Sequence, residues 1–192
     1  MTPDDHTLIN SMTSIEIQAP PETSIGRQFA DFLSKQGGQI ILDWTAAVHK
    51  DRMITSSEDL THRQLIDHVP QLLDDLNHTL CNAFSEDVKQ QASWTAAIHG
   101  QMRWKEGYDI SELLREMRDL RLVLIPYVIE FQEQHPEAGG AKNLFAMNVL
   151  HGFLDDSMRT SVEQFLTTGE HIQHNNQRNQ SQESKQPVHN ST

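Results

Sequence analysis

The chain has 192 residues, 36% of them hydrophobic, and a formal net charge of −12 at pH 7. This length predicts one domain, and the polar residues concentrate at both ends, so the middle of the chain can still bury a core. Nucleic acids and anionic membranes attract clustered Lys and Arg, so the acidic composition argues against both as partners.

The remaining compositional features favour a soluble, cytoplasmic protein. Cys81 is the only cysteine, which excludes an intramolecular disulfide and a two-cysteine metal motif. The first residues lack the basic region and the apolar core of a signal peptide. The longest apolar run, 122–129, is far shorter than the roughly 20 residues that span a bilayer.

Both ends of the chain are predicted to lack structure. Residues 1–24 show no helical period and hold three of the seven prolines, which predicts a flexible N-terminal arm. Residues 169–192 are rich in His, Gln, Asn and Ser and cannot bury enough apolar surface to offset the entropy of ordering. They are predicted to form a disordered polar tail, so the helical domain is expected to span 25–168.

Five helices and no strand are predicted between these ends. The first covers 25–50, where apolar residues recur at the helical period and the pair Gly37-Gly38 predicts a kink or a break. The second starts after Thr61, whose side chain can form a capping box with Gln64. Pro70 predicts a kink within this second helix.

The third helix is predicted to end at Gly107, a residue suited to a left-handed cap. Ala92 and Ala96 share a ridge of this helix with His99 and Arg103. Small side chains on that ridge let another helix approach closely.

The fourth helix, 110–134, is expected to begin at a cap provided by Asp109 or Ser111. Arg121 lies on its apolar face. The fifth helix, 141–168, is apolar most of the way round in its early part, so it is either central or shared with a second subunit. Short loops predict an all-α bundle in which sequential helices are antiparallel neighbours.

Motifs typical of enzymes are absent from the sequence, which has no phosphate-binding loop, no dinucleotide-binding glycine motif, no nucleophile elbow and no zinc-protease motif. Asp74 and His78 lie four residues apart and could share a metal ion. They alternate with leucines, so we interpret them as part of a solvated helix face, and His68 is likewise interpreted as a surface or rim residue. The expectation is a non-enzymatic protein without a metal site.

His99 and His151 each allow two interpretations. As functional groups, either could be the proximal ligand of haem iron, and His99 could also serve as a pH-sensitive switch. As structural groups, each would hold its ring between helices through a hydrogen bond. The structural interpretation is favoured, so no cofactor is expected, and haem is the alternative.

Charged side chains on apolar helix faces suggest a buried ion pair. Arg121 lies among leucines, and a carboxylate–guanidinium set that joins Glu116 to Arg103 or Arg121 would match the fork geometry of arginine. Such a pair can select one helix packing over another, as a sensor domain requires. On this hypothesis, Arg121→Ala destabilises the protein strongly or changes its oligomeric state.

Several segments resemble a known family. Trp44 lies in the first helix, LIDHVPQLLDDL covers 65–76, and HGQMR at 99–103 is followed by GYD at 107–109 and LLREMRDLR at 113–121. In this order and spacing they resemble the N-terminal domain of the RsbT co-antagonist proteins (the RsbRD N-terminal domain), a helical, globin-like input module. The resemblance covers about 25–165 of the chain.

The resemblance implies a five-helix, globin-like sensory or regulatory domain of bacterial signal transduction, of the kind found in front of histidine kinases or stress-regulator (STAS) proteins. No output module is recognisable after it, so the chain is expected to be a stand-alone regulator acting in trans or a sensor fragment. A homodimer with a histidine kinase or a STAS/anti-sigma system as partner is expected. The alternative is a globin-like protein that binds haem or another small ligand. The residues that we assign to ligand binding or switching are His99, Arg103, Tyr108, Glu116 and Arg121.

Overall fold

A computed structural model describes residues 21–83, 85–136 and 139–183. Within these ranges the protein is all-α and has no strand, which confirms the predicted fold class. No helix in this part of the chain has an apolar stretch long enough to cross a membrane. The helices are α1 (Pro21–Lys50), α2 (His62–Ile66), α3 (Val69–Cys81), α4 (Glu86–Lys105), α5 (Ile110–Gln134) and α6 (Gly139–Glu183), with a 3₁₀ turn at Ser56–Asp59 between α1 and α2.

The second predicted helix is divided in two. The predicted capping box starts α2, since Thr61 Oγ1 accepts a hydrogen bond from the Gln64 amide and the Gln64 side chain accepts one from the Thr61 amide. The chain then turns at residues 67 and 68, and Pro70 lies in the first turn of α3, where its missing N–H removes no helical hydrogen bond. The expected kink is therefore a complete break between two helices.

The predicted interruption at Gly37-Gly38 is not observed, because α1 is continuous through both glycines. Each glycine lowers helix stability by about 1 kcal/mol relative to alanine. Packing of α1 against α3 and α5 holds the helix together in spite of that penalty.

The helices extend past the predicted ends of the helical domain. α1 begins at Pro21 rather than at residue 25, and α6 continues to Glu183. α6 is still close to α4 at Gly169, because a β-carbon there would lie 2.9 Å from Nε1 of Trp104. The rest of the predicted arm and tail, residues 1–20 and 184–192, lies outside the described residues.

The core forms where α6 packs along α4 and where α1 packs on α3 and α5. α6 also contacts α5, α1 and α3, so its buried apolar residues lie against helices of its own chain, whereas Leu144, Leu166 and Ile172 are exposed. The largest side chains buried almost completely are Phe29, Ile40, Trp44, Ile54, Leu65, Leu76, Leu80, Arg103, Leu113, Leu124, Phe131 and Leu154. Arg103 is the one charged residue in this set, which places it at the centre of the bundle.

The small residues of α4 are where α6 comes closest, as the ridge pattern predicts. A β-carbon on Gly100 would lie 1.9 Å from the carbonyl oxygen of Ser161. The Ser161 hydroxyl donates a 2.8 Å hydrogen bond to the carbonyl of Ala96. This backbone contact sets the position of α4, and with it the positions of His99 and Arg103.

Candidate functional site

The α4–α5 connection brings the charged residues together. Gly107 has a φ of 86°, the left-handed conformation predicted for it. Asp109 caps α5, since its side chain accepts hydrogen bonds from the amides of Ser111 and Glu112. The tight turn returns the chain so that Glu116 of α5 faces α4.

Arg103 and Glu116 form a buried ion pair. Their exposed fractions are 0% and 1%, respectively. Arg103 Nε lies 2.8 Å from Glu116 Oε2 and Nη2 lies 2.7 Å from Oε1, so the contact is bidentate. Of the two arginines considered from the sequence, Arg103 is the partner of Glu116.

The other donors of Arg103 connect it to α2. Nη2 donates to the Leu65 carbonyl at 2.6 Å, and Nη1 donates to the Gln64 carbonyl at 3.3 Å and to Glu106 Oε2 at 2.7 Å. A cation bound to the last carbonyls of a helix also interacts favourably with the helix dipole. One side chain therefore joins α2, α4 and α5.

Burial and charge set the protonation of the pair. Burial alone would lower the pKa of Arg103, but the charge and hydrogen bonds of Glu116 outweigh it and the pKa is raised. Burial raises the pKa of Glu116, and Arg103 opposes that change. Tyr108 packs its ring 5.1 Å from the guanidinium carbon of Arg103, and burial followed by the charge of Glu116 raises its pKa. Arg103 is thus a permanent cation over a neutral phenol.

Two histidines lie next to this pair. His99 is 4% exposed, and its ring stands edge-on to the ring of His68 with 6.2 Å between the centroids. Both line a small void of about 10 Å³, which Thr95 and Trp44 also line. Nε2 of each histidine has no hydrogen-bond partner among the described residues, although that of His68 lies 3.8 Å from an oxygen of Asp67.

Both imidazoles favour the neutral form. Burial lowers the pKa of His99 well below its usual value, and the charge of Arg103 adds to the effect. Burial also lowers the pKa of His68, with Asp67 opposing it. The sequence placed His68 on the surface or at a rim. The available signal was its position in the turn before Pro70, where α2 and α3 separate and their ends can face α4.

Arg121 and His151 do not join this cluster. Arg121 pairs instead with Asp155 of α6, and the side chains of the two are 29% and 66% exposed. Residues five apart on a helix point about 140° apart, so Arg121 cannot share a direction with Glu116. His151 is half-buried on α6 and does not line the void.

Because that ion pair lies at the surface, Arg121→Ala is expected to lower the free energy of unfolding by less than about 1 kcal/mol. This replaces the strong effect expected from the sequence. Urea denaturation of the wild type and the variant measures the difference. A loss of several kcal/mol would mean that Arg121 has a buried role.

The volume of the void beside His99 is too small for a haem group in the packing that the structure shows. A void of about 10 Å³ holds roughly one water molecule, whereas a porphyrin would require α3, α4 and α5 to separate. Asp74 and His78, the other candidate ligands, are both exposed on α3, with 3.8 Å between Asp74 Oδ2 and His78 Nδ1. The part of the chain that the structure describes contains no group of three or more His, Cys, Asp or Glu side chains suited to a metal ion.

No protein-family model, curated protein or solved structure matches this chain. The resemblance to the RsbRD N-terminal domain and the globin-like arrangement therefore stay predictions from the residues quoted above.

Proposed function

We propose that this protein is a non-enzymatic sensory or regulatory domain of bacterial signal transduction. It works as a homodimer in the cytoplasm and acts in trans on a kinase or a stress-regulator protein. The observation that carries the proposal is the fully buried Arg103, which bonds three helices beside two neutral histidines.

A buried ion pair contributes little to stability, because desolvation of both charges offsets their attraction. It does make helix packing discrete. Arg103 keeps its bonds to Leu65, Gln64 and Glu116 only while α2 and α5 hold their present positions against α4. A shift of either helix would leave buried charge unpaired, so alternative packings are separated rather than continuous. A signal that favours one of them changes the surface offered to a partner.

Protons are a signal to which the site is suited, and this gives a testable pH dependence. Because burial lowers the pKa of His99, the unfolded chain binds a proton at a higher pH than the folded chain does. The contribution of His99 to the free energy of unfolding should be fully present above pH of about 6.5. Below that pH the free energy of unfolding should fall by up to about 1.4 kcal/mol per pH unit for one such group. His99→Gln should flatten this part of the profile, as measured by urea denaturation between neutral and mildly acidic pH.

His78→Gln is the matched control, since His78 is exposed on α3 and should leave the slope unchanged. Equal slopes for the wild type and His99→Gln would show that His99 does not contribute to the acid response.

Hydrogen–deuterium exchange tests whether acid changes packing locally, as a regulatory site requires. At mildly acidic pH, where the fold is still populated, exchange should rise first in α2, in the start of α3 and in the facing part of α4. The His99→Gln variant should lose this local response. A uniform rise over all helices would indicate simple destabilisation and would contradict the proposal.

A further inference from the structure

One face of α5 is apolar yet exposed. Leu122, Ile125 and Ile129 are 53%, 40% and 50% exposed, although each is large and aliphatic. Beside them, α1 and α5 leave an open groove of about 960 Å³, whose lining combines apolar residues such as Ala47 and Pro126 with a larger number of charged and amide side chains. Together these side chains form a ridge next to a groove.

Four charges of α5 are arranged in two halves along this face, while Asp43, Lys50, Asp51 and Asp119 also line the groove. Arg115 and Arg118 line the groove at the start of α5, and the exposed Glu130 and Glu133 follow towards its end. Arg115 and Glu133 lie nine residues on either side of Leu124, and Arg118 and Glu130 lie six residues on either side. When a second copy of α5 is placed antiparallel to the first, each arginine of one copy therefore lies at the same height along the helix as a glutamate of the other.

The helical period places these groups on one face. Arg115 and Glu133 are separated by 18 residues, which is five turns at 3.6 residues per turn, so they point in the same direction. Leu122 and Pro126 lie between them, close to the same line. Arg115 and Arg118 share Asp51 at 3.3 and 2.9 Å, and Arg118 also binds Asp119 at 2.8 Å. Each guanidinium has five N–H groups, so both arginines keep donors for a further carboxylate.

We propose that two copies of this chain associate through α5 in antiparallel orientation, around a two-fold axis near Leu124. The aliphatic ridge of each copy then enters the α1–α5 groove of the other, and the arginines of one copy lie opposite the glutamates of the other. A two-fold interface needs such a self-complementary patch. A partner of uniform charge would be repelled by one half of this face, which is why a second copy fits it better.

This interface is the one through which the homodimer of the proposed function would form. It rests on the proposed function only for the expectation that the protein is a dimer. Light scattering coupled to size exclusion gives the mass of the full chain in solution. The wild type should be a dimer, and Leu122→Glu should weaken dimerisation at least ~10-fold by placing a charge in the apolar contact. Leu42→Glu is the matched control, since Leu42 is 57% exposed on α1 and is not among the groove residues, so this variant should remain dimeric.

Charge exchange separates an interface from a folding defect. Arg115→Glu and Glu133→Arg should each weaken the dimer, because like charges then face each other across the two-fold axis. The double variant should recover the wild-type mass, since the opposite charges meet again. A double variant as weak as the single ones would overturn the antiparallel arrangement.

A monomeric wild type, or a dimer that Leu122→Glu leaves intact, would overturn the proposed interface. The sensory proposal is tested by a different measurement, the effect of mildly acidic pH on unfolding and hydrogen–deuterium exchange around His99, which does not depend on the α5 interface. The Leu122→Glu variant should keep that response. A monomeric wild type would also contradict the homodimer of the proposed function, whereas a dimer that Leu122→Glu leaves intact would overturn the interface alone.

Discussion

Gly100→Ala is expected to destabilise the protein by about 3 kcal/mol or more. The new β-carbon would lie 1.9 Å from the carbonyl oxygen of Ser161 and 2.7 Å from its carbonyl carbon. Both atoms belong to the backbone of α6, so no side-chain rotation relieves the overlap and the two helices must separate. Urea denaturation measures the loss, and circular dichroism shows whether the variant remains helical.

Gly38→Ala is the matched control, because Gly38 lies in α1 with nothing within 4 Å of an added β-carbon. Here alanine should stabilise the protein by about 0.5–1 kcal/mol through its better helix propensity. A Gly100→Ala variant as stable as the wild type would contradict the close α4–α6 contact.

Arg103→Met is expected to lower the free energy of unfolding by about 3–5 kcal/mol, because Glu116 is left buried and unpaired. The carbonyls of Leu65 and Gln64 lose a donor at the same time. Arg103→Lys should also be destabilising, since an ammonium group cannot reproduce the bidentate contact. Denaturant unfolding of both variants gives the values.

The double variant Arg103→Met/Glu116→Leu tests the cause of that loss. Removing both charges leaves no uncompensated charge, so the double variant should be more stable than Arg103→Met alone. Arg159→Met is the surface control, because Arg159 is exposed and its ion pairs should contribute less than about 1 kcal/mol. A loss of the same small size for Arg103→Met would show that the buried pair does not hold the bundle.

Local chemistry in the sequence was enough to predict several helix ends. The capping box at Thr61, the cap at Asp109 and the left-handed turn at Gly107 depend on residues within three or four positions of one another. Glycine propensity was misleading at Gly38, because tertiary packing of α1 outweighs a local penalty of about 1 kcal/mol.

The candidate site was predictable in composition but only partly in its pairing. The sequence indicated that Glu116 would meet an arginine, and Arg103 and Arg121 were equal candidates. Arg103 is reached only because the α4–α5 turn folds back, whereas Arg121 points away towards Asp155 on α6. The position of His68 before Pro70 indicated a turn, but its contact with His99 depends on the orientation of α3 relative to α4 and was missed.

The sequence by itself determined the all-α class, several caps and turns, and the close approach of a helix along the ridge of Ala92 and Ala96, whereas the contact at Gly100 was seen only in the structure. The predicted features follow from interactions within a few residues or from side-chain size on one helix face. Only the tertiary structure decided which arginine is buried, which histidines meet, and how far α6 extends. The physical reason is that burial and pairing arise between helices that are distant in sequence, and their relative rotation is set by the packing of the whole core.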